Sequence, residues 1–226
     1  MRGKLLVIEG GDGSGKTTQA KMLVDFFHAQ QMPTHYYDFP QYEQFYGKLI
    51  ARYLRGEFGD IHQVSPYLAC LPFALDRASV SNEMHQYLQK GYFLVANRYA
   101  PSNMAHQSSR ISSKTEKIEF LRFIMTLEYQ ENKIPKEDLV FYLNVPWQTG
   151  MALTQKKGAR PYLNGKNDIL ETNSQYRQLT EKAYLDLAEK YTHWITIDSF
   201  EDKRLLSPDV IHQKIVSVLR KQNVIP

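Results

Sequence analysis

Only one cysteine, Cys70, occurs in the 226 residues, so no disulfide can close within the chain and a zinc knuckle cannot form. It sits in the apolar helical stretch Tyr67-Leu68-Ala69-Cys70-Leu71, where a small core residue is the expected role. None of the seven histidines pairs at H-x-x-x-H spacing, which removes the commonest helical metal site. No apolar run approaches the ~18 residues of a membrane span. The first such run, Leu5 to Ile8, is stopped by Glu9 and is too short for a signal peptide. The net charge of +4 is too small to argue for a nucleic-acid partner. With 12 glycines and 10 prolines the composition is neither collagen-like nor that of a disordered chain. What remains is one α/β domain over 1–226, expected to be cytoplasmic, with neither nucleic acid nor membrane as partner.

Acidic residues are also missing between Gly150 and Asn167, where Lys156, Lys157, Arg160 and Lys166 stand among Gly158, Pro161 and Gly165. A basic, glycine-containing loop of this kind suits closure over phosphates, and a basic lid is expected near 154–168.

The most informative stretch follows the first apolar run. Gly10-Gly11-Asp12-Gly13-Ser14-Gly15-Lys16-Thr17, continued by Thr18, fits G-x-x-x-x-G-K-[ST] between an expected strand and an expected helix. A loop in that setting aims backbone N–H groups at an anion, and its glycines let the backbone approach phosphate oxygens. Lys16 is expected at the β and γ phosphates of a nucleoside triphosphate, with the Thr17 hydroxyl on Mg²⁺.

Apolar runs alternating with helical segments predict a parallel sheet covered on both faces. Strands are expected at Lys4 to Glu9, Thr34 to Phe39, Phe93 to Asn97, Leu139 to Asn144 and Trp194 to Asp198. Helices are expected at Gly15 to Gln31, Gly47 to Gly56, Ser65 to Lys90 with a kink at Pro72, Glu116 to Glu131, Trp147 to Lys156, Ser174 to Tyr191 and Pro208 to Gln222. Ligands in such sheets collect beyond the carboxyl ends of the strands.

Those ends carry Asp38-Phe39-Pro40-Gln41-Tyr42 and Asn97-Arg98-Tyr99-Ala100-Pro101-Ser102-Asn103, running on to His106-Gln107, while Phe73-Ala74-Leu75-Asp76-Arg77 lies between them in a helix. Together with the glycine-rich loop, these segments resemble the thymidylate kinase family from Gly10 to Tyr184. The resemblance implies a three-layer P-loop NTPase fold with a five-stranded parallel sheet. It also implies transfer of the γ-phosphoryl of ATP to dTMP on the route to dTTP, with Mg²⁺ as cofactor and a homodimer as the assembly.

The resemblance distributes roles to matching positions. Lys16, Asp12, Arg98 and a lid arginine, Arg160, would act in the transfer. Gly10 to Thr18 would bind the donor, and Thr17, Asp12 and Asn97 the metal. Arg77 and Arg98 would meet the acceptor, Arg77 reaching the base carbonyl as well. Phe73 would stack on the pyrimidine and Phe39 wall it. Tyr42 would touch the acceptor phosphate, and Asn103, with Ser102 and Gln107, the thymine edge. Asp168, Glu171, Tyr176 and Tyr184 resemble the residues that carry the lid into its next helix.

Three positions depart from the pattern. Asn97 stands where the family has an aspartate assisting Mg²⁺, His106 stands where a tyrosine guards against a ribose 2′-hydroxyl, and Gly13 stands where some members carry an arginine, which directs attention to Arg160. A neutral His106 imidazole would still fill that space, and a titrating one would make acceptor choice pH-dependent. Two other readings stay open: a deoxynucleoside kinase acting on thymidine, and an ATP-binding switch without catalysis. The former needs a carboxylate base for an uncharged 5′-hydroxyl, and Asn97 does not supply one.

Overall fold

A computed structural model describes residues 2–155, 161–165, 168–170 and 173–225. The expected lid residues Lys156, Lys157, Arg160 and Lys166, together with Glu171, lie outside the described residues. Five parallel strands form one sheet in the order β2-β3-β1-β4-β5: β1 (Lys4–Gly10), β2 (Thr34–Asp38), β3 (Phe93–Asn97), β4 (Leu139–Asn144) and β5 (Trp194–Asp198). The central strand explains the three layers. Successive side chains of β1 point to opposite faces, and all of Leu5 to Ile8 are apolar and buried. Leu6 and Ile8 pack against α1 (Lys16–Ala29) and α9 (Pro208–Lys221) through Leu23, Phe27, Ile211 and Ile215. Leu5 and Val7 face the opposite layer, which contains Met84 of α4 (Ser81–Gln89), Met104 of α5 (Ala100–Ser108), Phe120 of α6 (Lys114–Met125) and Tyr184 of α8 (Ser174–Lys190). The remaining helices are α2 (Phe45–Leu54), α3 (Pro66–Ala78) and α7 (Trp147–Gln155). A satellite core joins Ile50 and Leu54 of α2 to Ala69 of α3 and to Leu170.

The sheet agrees with its sequence pattern; four helical and turn details differ. The segment expected as one helix from Ser65 to Lys90 is two, α3 and α4, and the break falls at Ser79-Val80 rather than at Pro72, which lies inside α3. The Ser79 hydroxyl donates to the Asp76 carbonyl at 2.6 Å, the acceptor that the Val80 N–H would use to continue the helix, and Val80 turns to Arg77 instead. Helix α5 was not anticipated, because no side chain of its own caps it. Its N-terminus is served from β1: the Glu9 carboxylate accepts from Tyr99 N at 2.9 Å and Ser102 N at 3.0 Å. Helix α6 stops at Met125 and gives way to a π-helical turn, Thr126–Glu131. After β5 a short hairpin pairs β6 (Phe200–Glu201) with β7 (Arg204–Leu205) around Asp202 and Lys203, both at positive φ, as a two-residue hairpin turn requires.

Candidate active site

The loop between β1 and α1 makes its tight turn with Gly13 at φ 87° and Gly15 at φ 90°. A Cβ on Gly13 would meet the Gly150 carbonyl oxygen at 2.1 Å, so the loop tip rests on the backbone of α7 and no side chain fits there. The missing arginine at this position therefore has a packing cause. A Cβ on Gly15 would meet nothing within 4 Å, leaving its backbone open on that side. Lys16 is 7% exposed and its ammonium donates to Gly11 O at 2.7 Å. The Ser14 hydroxyl is buried with no hydrogen-bond partner among the described residues.

At the head of α1, Thr17 Oγ1 accepts from the Asn97 amide at 3.1 Å, and the same amide donates to Asp38 Oδ1 at 2.8 Å. Asp38 lies opposite Asn97 in the β2–β3 register. Asn97 Oδ1 is buried beside them without a partner among the described residues. A hydroxyl, an unpartnered amide oxygen and a neighbouring carboxylate make an oxygen set that suits Mg²⁺, which keeps several of its waters and takes few protein ligands. Sequence reasoning missed Asp38.

The residues expected around the acceptor line one cleft beside this loop, and Asp12 lines it with them. At its junction with the loop, Arg98 ion-pairs with Asp12, and Lys16 Nζ lies 3.9 Å from the same Asp12 oxygen. Burial alone would raise the Asp12 carboxyl, yet Arg98 and then Lys16 hold it well below the usual carboxylate range. Arg98 has φ 64°, a left-handed backbone that costs a non-glycine residue about 1–3 kcal/mol and is found most often at functional sites. Its guanidinium also donates to Ser102 Oγ and His106 Nε2, each at 3.1 Å.

His106 therefore accepts at Nε2, and its Nδ1 donates to the Tyr176 hydroxyl at 2.6 Å. Burial, and next the Arg98 cation, push the imidazole down to about 3, against a smaller pull from Asp12. The ring stays neutral through physiological pH, the space-filling one of the two roles left open for it. Its folded value lies below the ordinary 6.5, so the unfolded chain binds a proton that the folded chain does not. This contribution to stability is complete above about pH 6.5 and is lost as pH falls toward 3, at up to about 1.4 kcal/mol per pH unit. Urea unfolding of His106→Gln is expected to show a shallower acid slope between pH 6.5 and 4. An unchanged slope would contradict the neutral assignment.

Several expected contacts are taken by neighbours. The Ser102 hydroxyl donates to Glu9 Oε2 at 2.7 Å, where Tyr184 also donates at 2.8 Å, so Ser102 ties the cleft wall to a buried network. Gln107 Oε1 accepts from Arg110 at 2.7 Å, tying α5 to the α2–α3 connection. Tyr42 stacks on Tyr162 with centroids 3.8 Å apart, a packing role at the cleft wall. Phe39, 3% exposed, and the half-buried Phe73, edge-on to Tyr53, supply apolar walls. Asp168 is 5% exposed and accepts from Leu170 N at 2.8 Å.

The deep end of the cleft was least legible. Arg77 was expected at the acceptor phosphate, but its Nε donates at 3.1 Å to Glu128, and a second, shorter bond to the same carboxylate makes the pair bidentate. Both side chains are buried, so the pair adds no net charge there. Asn103 Nδ2 donates to Cys70 O at 3.0 Å and to Glu128 Oε1 at 3.1 Å, while its Oδ1 is buried with no partner among the described residues. Cys70 is itself core, and burial pushes its thiol up to about 12. Glu128 and Glu9 were both missed. The one available signal for Glu9 was a carboxylate ending an apolar strand.

A glycine-rich anion loop joined to a cleft that carries a cation at its mouth and a neutral polar floor defines a phosphotransferase of the nucleoside monophosphate kinase class. The family model for thymidylate kinase matches residues 8–210, and the chain belongs to the thymidylate kinase family. It is 30% identical to a thymidylate kinase of Plasmodium falciparum (isolate 3D7) over 100% of this chain and 93% of that one. It is also 30% identical to a probable thymidylate kinase of Pyrococcus abyssi, over 98% of each. A solved thymidylate kinase from Candida albicans, 24% identical, superposes with a TM-score of 0.74 over 98% of this chain and 93% of that one, a likeness of fold.

Proposed function

We propose that this protein transfers the γ-phosphoryl group of ATP to dTMP, giving ADP and dTDP. The observation that carries the base assignment is the buried, unpartnered Oδ1 of Asn103. Asn103 lines the cleft, and its unsatisfied acceptor is the complement of a ring N–H such as N3–H of thymine. Arg77, with part of its fork on Glu128, reaches the adjacent carbonyl, Phe73 stacks on the ring and Phe39 walls it. The acceptor phosphate lies at the other end, by Arg98. Asp12, between the two halves, meets the sugar and orders Arg98.

In the transfer an oxygen of the acceptor phosphate attacks the γ phosphorus as the bond to the β–γ bridging oxygen breaks, and ADP leaves with that electron pair. The attacking oxygen is already anionic, so no general base is needed, which agrees with an amide at Asn97. The loop from Gly10 to Thr18 and Lys16 hold the triphosphate. Thr17 and Asn97, with Asp38 beside them, would hold Mg²⁺ through oxygen and water, and Asp12 would contribute charge nearby. When bound, Mg²⁺ would act as a Lewis acid that offsets the negative charge of the phosphates. Arg160 brings positive charge from the lid near 154–168.

The chain works as one domain over 1–226 and is cytoplasmic; among the described residues no helix is long and apolar enough to cross a membrane. It forms a homodimer through α3 and α6, where Leu68, Leu75 and Phe123 are apolar yet exposed and Tyr67 touches Phe123. ADP release with Mg-ATP against dTMP, dUMP, dCMP, UMP and AMP tests the assignment. dTMP is expected to give the highest kcat/KM, and a preference for AMP or dCMP would overturn it.

A further inference from the structure

We infer that Glu128 is the positioning residue that sets the hydrogen-bond polarity of the base pocket and so decides which class of pyrimidine is accepted. The inference rests on the proposed dTMP reading and adds a residue to it. Glu128 projects from the π-helical turn Thr126–Glu131, and such turns are rare and concentrate at functional sites. It is 0% exposed, an expensive place for a carboxylate unless every lone pair facing the interior is used. Three donors answer it: Nε and one terminal nitrogen of Arg77, and Nδ2 of Asn103. All three come from residues that line the cleft, while Glu128 itself does not line it.

An ionised carboxylate accepts and never donates, and this fixes both neighbours. The bidentate grip sets the plane of the Arg77 guanidinium. For Asn103 the consequence is sharper. Its amide faces two acceptors, Cys70 O and Glu128 Oε1, so both N–H groups are taken and a flipped amide would set oxygen against oxygen at each. Oδ1 is thereby left as the unsatisfied acceptor of a residue that lines the cleft together with Arg77.

An acceptor next to a donor complements a 4-oxopyrimidine, whose N3 carries hydrogen beside a carbonyl. A 4-aminopyrimidine reverses both groups, placing a lone pair against Asn103 Oδ1 and an amino group against Arg77. A site built to hydrogen-bond its ligand can reject a mismatched one by ~10⁴-fold.

The test compares kcat/KM for dTMP and dCMP, with Mg-ATP, in the wild type and in Glu128→Gln. A glutamine offers one donor and one acceptor where the carboxylate offers only acceptors, so it cannot satisfy Arg77 and Asn103 together. The dTMP:dCMP ratio is expected to fall at least ~10-fold, with KM for ATP unchanged, because a pairing that discriminates by hydrogen bonds is lost while the donor loop is untouched. A merely structural residue would lower both acceptors alike. A ratio within about twofold of wild type in folded Glu128→Gln would overturn the inference while leaving the dTMP reading intact. A wild type that does not prefer dTMP to dCMP would overturn both. If Glu128→Gln does not fold, Glu128→Asp keeps the charge but draws it back from Arg77 and Asn103, both left in place; there a ratio lowered at least ~10-fold supports the inference and one within about twofold of wild type overturns it.

Discussion

Arg98→Ala is expected to lower kcat with dTMP by about 10³-fold while KM for ATP stays within about threefold, the range seen when a preorganised donor to transferring phosphoryl oxygens is removed. Arg98 is held on three sides, by Asp12, Ser102 and His106, with its backbone locked at φ 64°. That preorganisation is what a phosphoryl-transfer site needs, since most of its catalysis is positioning and electrostatics. Removing the guanidinium also leaves Asp12 with Lys16 3.9 Å away and takes away the cation that, after burial, does most to hold His106 neutral. Steady-state ADP release with ATP and dTMP varied separately checks the split. A kcat within tenfold of wild type would place the essential charge elsewhere.

Arg77→Met is expected to destabilise the fold by about 3–5 kcal/mol, because it strands the Glu128 carboxylate in the interior. The two side chains are 3% and 1% exposed, so water cannot rescue the survivor. Against a total stability of about 5–15 kcal/mol this is a large fraction, and it lowers the melting temperature by on the order of 10 °C. Adding Glu128→Leu removes the stranded charge and is expected to restore most of the loss. Thermal melts of the single and double variants are the check. Equal melting temperatures for both would mean that the cost lies in packing, not in the unpaired charge.

The fold was legible wherever a signal was local. Leu5 to Ile8 before the glycine loop, and four further apolar runs, place every strand of the sheet to within a residue. What failed needed a partner distant in sequence. Helix α5 begins where Glu9, some 90 positions earlier, takes its first N–H groups. The site shows the same division. The residues that line the cleft lie in segments whose order and spacing are readable, and one cleft gathers them. How those residues are spent was not readable. Ser102 belongs to Glu9, Gln107 to Arg110 and Arg77 to Glu128, and nothing in the spacing of a π-helical turn announces a carboxylate aimed at α3 and α5. His106 reads in sequence as either a neutral or a titrating ring, and burial together with Arg98 beside it makes it the neutral acceptor. Gly13 reads as a lost arginine, and the structure shows a backbone contact with Gly150 that admits no side chain.

The central claim is phosphoryl transfer to an acceptor that already carries a phosphate. The most direct test incubates the protein with Mg-ATP and either dTMP or thymidine, and quantifies ADP together with the nucleotide product. dTMP is expected to give ADP and dTDP in equal amounts, and thymidine to give neither above background. Formation of dTMP from thymidine at a higher rate than dTDP from dTMP would contradict the account.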